Sequence, residues 1–131
     1  MPVRGIRGAT TVHTNDKESI LAATRELLIA LQNNNQFETK DIVSIFFSMT
    51  SDLNTAFPAR AARELGWNHV PLFGMQEAEV PNSLPKCIRV LIQINCEKSQ
   101  TEIKHCYLKG AEVLRKDLVK RTLNIKESEL T

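Results

Sequence analysis

The stretch CIRVLIQIN, Cys87 to Asn95, admits little but a β-strand. It alternates cleanly: Ile88, Val90, Ile92 and Ile94 share one face, and Cys87, Arg89, Leu91 and Gln93 share the other. An arginine in the middle of such a strand stands out, because arginine is rarely buried unless paired. If the isoleucine face lines a core, Arg89 turns away from it, toward solvent, a subunit interface or a pocket.

The rest of the chain supplies partners for that strand. Val3 to Val12 reads as a strand interrupted by Gly5 and Gly8, and glycines there mark a bulge or a close backbone approach. Asn15 and Glu18 fit a capping-box variant. Behind them Ile20, Thr24, Leu27, Leu28 and Leu31 fall at helical spacing, one apolar stripe on a helix of roughly 17 residues ended by Asn33-Asn34-Asn35. Asp41 to Met49 is a dense apolar run that reads as a buried strand, followed by a turn at Thr50-Ser51-Asp52. Pro58 opens a short helix, Ala59 to Leu65, that Gly66 stops. Val70 to Met75 reads as a short strand and Pro81 to Pro85 as a loop. His105 to Leu108 and Glu112 to Arg115 are two further short strand candidates. The fold class is α+β, a mixed β-sheet packed against one long helix. One domain spans 1–118, and 119–131 forms a polar, partly flexible tail.

Composition excludes several functions. At 131 residues the chain fits one domain, and its 42% hydrophobic and 24% charged content is that of an ordinary globular protein. A net charge of +2 with few aromatics argues against nucleic acid, which calls for a basic stripe. No segment approaches the roughly 20 apolar residues of a membrane span, and the N-terminal MPVRGIRGATTV is no signal run. Cys87, Cys96 and Cys106 make an odd set without CxxC spacing, which reads as buried, reduced thiols in a cytoplasmic protein. His13, His69 and His105 have no metal-ligand spacing. There is no GxSxG elbow and no P-loop, and GIRG at 5–8 is too short for a dinucleotide loop. What remains is arginine inside apolar sequence, at Arg4, Arg7 and Arg89, which suits a ligand with several carboxylates.

Five segments then carry a resemblance: RGIRGATTV (4–12), FPARAARELGW (57–67), MQEAEV (75–80), KCIRVLIQI (86–94) and HCYLKGAEVLRKDL (105–118). In this order and spacing the chain resembles the monofunctional, trimeric chorismate mutase class. The resemblance implies a homotrimer whose sheets surround a pseudo-α/β-barrel core, with active sites at subunit interfaces. It implies conversion of chorismate to prephenate, an intramolecular [3,3] rearrangement in phenylalanine and tyrosine biosynthesis that needs no metal and no cofactor. Residue by residue, it makes Arg89 the cation at the ether oxygen and Glu77 the partner of the ring hydroxyl. Arg7 and Tyr107 hold the side-chain carboxylate. Phe57, Ala59 and Leu114 shape the wall, Phe73 and Gly74 contact the substrate, and Arg60, Arg63 and Arg115 line the mouth. Taken without that context, Glu77 reads as the partner of a surface lysine, Tyr107 as an interface aromatic, and Arg60 and Arg63 as solvated helix residues. The chain departs from the usual pattern at Gly74, where members often carry Cys, at Arg60 in place of Lys, and at Lys116 in place of Pro. The alternative is a noncatalytic trimeric small-molecule binding or regulatory protein of the same fold. The set Arg7, Glu77, Arg89 and Tyr107 separates the two, because a relative without catalysis should have lost one of them.

Overall fold

In the computed structural model, which describes residues 1–114, the strand Cys87–Asn95 lies at the centre of a five-stranded sheet. In chain order the strands are β1 (Val3–Thr11), β2 (Ile42–Met49), β3 (Leu72–Gln76), β4 (Cys87–Asn95) and β5 (Cys106–Tyr107). Their order across the sheet is β3-β2-β4-β1-β5. β4 runs antiparallel to both β1 and β2, while β3 and β5 add in parallel at the two edges, so the sheet is mixed.

One face of this sheet is covered by helix α1 (Lys17–Asn35). The expected stripe of Ile20, Thr24, Leu27, Leu28 and Leu31 is buried throughout. It packs on Ile6, Ile45, Phe47 and the β4 residues Ile88, Val90, Ile92 and Ile94. Thr24 fits this apolar seam because its hydroxyl donates to the Ile20 carbonyl at 2.7 Å, leaving no buried donor without a partner. Gly8 shows why β1 carries glycine. A Cβ there would sit 2.8 Å from Leu31 Cδ1 and 3.1 Å from Leu27 Cδ1, so the helix approaches the strand closely only because that atom is missing. The irregularity that glycine suggested for β1 falls instead in β2, where the register against β4 shifts between Ile42 and Ser44.

Several features differ from the sequence reading. The cap of α1 is Asp16, whose carboxylate accepts from the Ser19 amide, rather than Asn15. Asn15 instead ties the helix entry to the 54–55 loop, through Asn54 and Thr55. The helix continues through the asparagines to Asn35 and stops at Gln36, which takes the left-handed conformation (φ 52°). Asn35 is buried and stays helical because its side chain bonds the Leu31 and Lys104 carbonyls. The segment from Glu112 is not a strand: Lys109–Leu114 coils as a 3-10 helix over the end of the sheet. Cys87 and Cys106 are buried thiols, but Cys96 is only half-buried. Helix α2 (Ala59–Glu64) follows Pro58 as expected, and Gly66 ends it at φ 87°, a conformation that favours glycine. Arg115 and the expected tail, 119–131, lie outside the described residues.

Candidate active site

Among the described residues, α1 covers one face of the sheet, and only the 3-10 helix Lys109–Leu114 reaches over the end of the other. This second face carries alternate residues of every strand, and the register aligns them in rows. One row runs Met75, Ser48, Arg89, Ala9, Tyr107 across all five strands. The next runs Phe73, Phe46, Leu91, Arg7. Between them lies an open cavity of about 490 Å³, lined by Arg7, Phe46, Ser48, Met75, Arg89 and Tyr107 among others. Arg7, Arg89 and Tyr107 thus converge from β1, β4 and β5, although the two arginines are 82 positions apart in the chain.

Glu77 joins them from just beyond β3. Its amide donates to the Met49 carbonyl at 2.8 Å, which carries the parallel pairing one residue further and aims the carboxylate inward. The Ser48 hydroxyl donates to Glu77 Oε2, and Arg89 Nε stands 3.5 Å from Glu77 Oε1. That approach is an ion pair but not a hydrogen bond: Arg89 Nε is buried and makes none among the described residues. The pair is also partly wet, with Arg89 42% and Glu77 31% exposed, so in the free chain it contributes little stability. A buried guanidinium donor without an acceptor, on a side chain that opens into a cavity, is arranged for an incoming oxygen atom. Behind it, burial pushes the Cys87 thiol up and the Arg89 guanidinium only partly offsets this, so Cys87 stays a neutral thiol. Among the described residues no three His, Cys, Asp or Glu side chains gather as a metal site requires, and no helix is long and apolar enough to cross a membrane.

The remaining candidates divide. Leu114 is half-buried and, like Tyr107, packs against Ala9, Cys87 and Ala111, but it does not itself line the arginine cavity. Phe73 stands edge-on to Phe46 with ring centroids 6.2 Å apart, on the same open face. Gly74 is exposed and a Cβ there meets nothing within 4 Å, so no steric need accounts for glycine at this position. Phe57, Arg60 and Arg63 are elsewhere: with Lys17 they line a separate depression of about 630 Å³ that shares no residue with the first. Arg60 is held there by Glu64 at 3.4 Å. Ala59 is half-buried against the main core. The sequence reading missed Ser48, Phe46 and Met75. The signal for Ser48 was present, since a serine inside the apolar run of β2 marks the strand face turned from the core.

Comparison with known proteins follows the same lines. The family model for chorismate mutase type I matches residues 3–118. Chorismate mutase AroH of Bacillus subtilis (strain 168) is 45% identical over 119 residues, covering 90% of this chain and 94% of that protein. Chorismate mutase AroH of Thermus thermophilus is 45% identical over 117 residues, covering 88% and 96%. A solved chorismate mutase from Clostridium thermocellum superposes with a TM-score of 0.82 at 50% identity, covering 83% of this chain and 97% of that one.

Proposed function

The chain belongs to the chorismate mutase type I family, and on that premise we propose how it converts chorismate to prephenate: on the Arg89–Glu77 pair, with Arg7 and Tyr107 holding the substrate. The reaction is an isomerisation in one concerted step, breaking a C–O bond as a C–C bond forms. It requires a compact conformer of a flexible dianion and stabilisation of the charge that appears as the bond breaks. The ether oxygen becomes partly negative, and Arg89 meets it. The ring becomes partly positive, and Glu77 balances it while binding the ring hydroxyl.

The single observation that carries this reading is the Arg89–Glu77 separation of 3.5 Å, at the edge of the cavity that Arg89 lines. In chorismate the hydroxyl and the ether oxygen sit on neighbouring ring carbons, and a cation beside a carboxylate matches that pair of oxygens. Arg89 retains a buried Nε donor for the charge that develops, and a fixed cation in a site that substrate has dried is worth far more than in water. Arg7 from the next row and Tyr107 from the far end of the Arg89 row bind the side-chain carboxylate. No acid or base has to move a proton, and no metal or cofactor enters the step.

The enzyme works in the cytoplasm as a homotrimer, with each site completed by a neighbouring subunit. Two features support this. Phe57, Arg60 and Arg63 share no cavity with Arg7 and Arg89 in one chain, so a single substrate meets both sets only across an interface. The open sheet face also exposes Phe73 (60%), Met75 (48%) and Leu91 (37%), an apolar surface that association would cover. Sheet faces gathered about a threefold axis make a barrel-like core.

The test is the ultraviolet disappearance of chorismate with wild type and Arg89→Ala side by side. Removing one donor to a developing oxyanion typically costs about 10²–10³ in kcat, and a loss of at least that size is expected. A change confined to KM would remove Arg89 from the chemical step.

A further inference from the structure

We infer that His105 is a positioning residue: its imidazole sets the relative placement of Arg7 and Tyr107, the pair to which the proposed function assigns the substrate's side-chain carboxylate. The inference rests on that assignment for its kinetic consequence, and on geometry alone for the rest.

β5 is a strand of two residues, paired to β1 only at Gly8↔Cys106 and Ala9↔Tyr107. A parallel pairing this short is a weak way to hold a site residue. One further backbone bond, from the Leu108 amide to the Ala9 carbonyl at 2.9 Å, fixes the far end. At the near end the amide of Arg7 donates to the side chain of His105, to Nδ1 at 2.9 Å. In a regular ladder that amide would meet a backbone carbonyl. Here an imidazole nitrogen takes the carbonyl's place, so the link between the strands depends on residue identity. An accepting Nδ1 places the ring proton on Nε2.

The consequence for the site follows from the register. Arg7 lies two residues before Ala9, and Tyr107 is opposite Ala9, so both line the same cavity. The bond at Arg7 N fixes the depth of Arg7 on one strand, and the same ring, two residues before Tyr107, fixes β5 on the other. Without it the Arg7 amide loses this acceptor, and the spacing between guanidinium and phenol is left to two residue pairs and the Leu108 bond at the far end. Groups that hold a carboxylate equally in the ground and transition states act on KM.

The experiment compares wild type, His105→Leu and His105→Asn, measuring chorismate turnover, Tm and hydrogen exchange at the Arg7 amide. Asn places an oxygen where Nδ1 stands, while Leu has no acceptor. For His105→Leu, KM is expected to rise about tenfold with kcat within about threefold, as loss of uniform binding requires. The Arg7 amide should exchange faster. His105→Asn should return both readouts most of the way, whatever happens to Tm. A wild-type KM in His105→Leu, or an Asn variant no better than Leu, overturns the inference. Should the Leu variant fail to fold, His105→Gln, whose acceptor lies one bond too far out, takes its place with the same expectations. Failure of the functional reading looks different: wild type would not consume chorismate, and Arg7 exchange would then decide, with equal protection in all variants overturning the inference.

Discussion

The carboxylate of Glu77, to which the proposed function gives the ring hydroxyl, is oriented by a neighbouring hydroxyl. Ser48 donates to Glu77 Oε2, leaving Oε1 toward Arg89. With Ser48→Ala the carboxylate keeps its charge and gains a rotamer. A hydrogen bond to a charged group contributes about 1.5–3 kcal/mol where it is buried, and this one is partly wet, so kcat/KM should fall about tenfold. Steady-state kinetics with the stability checked in parallel will measure it, and an unchanged kcat/KM would show that Glu77 needs no such support. Ser48 marks where residue-level reading of the sequence reached its end. Arg89 was legible as an anomaly, an arginine in an otherwise apolar strand, and Arg7 likewise. A serine in the apolar run of β2 marks the face turned from the core but not what it meets there: the register puts Ser48 directly between Met75 and Arg89, and register between distant strands is not written in local sequence.

At the scale of the element, α1 and β4 were legible because each carries its own period, 3.6 in one and 2 in the other. The edges were not. Glu112 and its neighbours are a short, partly apolar run with no period of their own; they coil over Ala9 and Cys87, with Ala111 buried beneath. The start of α1 was misplaced by one residue because Asn15 and Asp16 are both good caps, and tertiary contacts chose between them by engaging Asn15 with Asn54. The Asp16 carboxyl is held below its usual range, first by the Thr14 hydroxyl and then by the Ser19 amide and hydroxyl. A carboxyl whose pKa is lowered on folding contributes stability that is present above its unfolded value and is lost as pH falls through the folded one. Asp16→Ala should therefore lower Tm at pH 7. The difference from wild type should shrink as the solution is taken below about pH 4, the ordinary aspartate range. A difference of constant size from pH 7 to pH 2, measured by thermal melts, would assign the effect to something other than the ionised cap.

For the molecule as a whole, the division of the candidate site into two depressions is a feature no local sequence signal expressed: the family resemblance put Arg63 and Arg89 at one substrate, while one chain gives them separate surfaces. Both descriptions hold if the substrate lies between subunits, and that arrangement has a consequence that can be counted. Arg63→Ala leaves Arg89 intact, and Arg89→Ala leaves Arg63 intact, so neither homotrimer has a complete site. In a trimer assembled from both, an interface is complete when the intact Arg89 of one chain faces the intact Arg63 of its neighbour. Random assembly of equal amounts gives this at about a quarter of interfaces, since a closed ring uses the same two surfaces in the same order each time. Unfolding the two variants together and refolding the mixture should therefore restore about a quarter of wild-type activity. The assay belongs at chorismate concentrations below KM, where loss of the Arg63 charge is felt as weaker capture. Refolding each variant alone, then mixing, should restore nothing beyond the sum of the two. If Arg63 and Arg89 instead serve one site within a single chain, every chain in the mixture remains defective, and activity stays at the average of the two homotrimers.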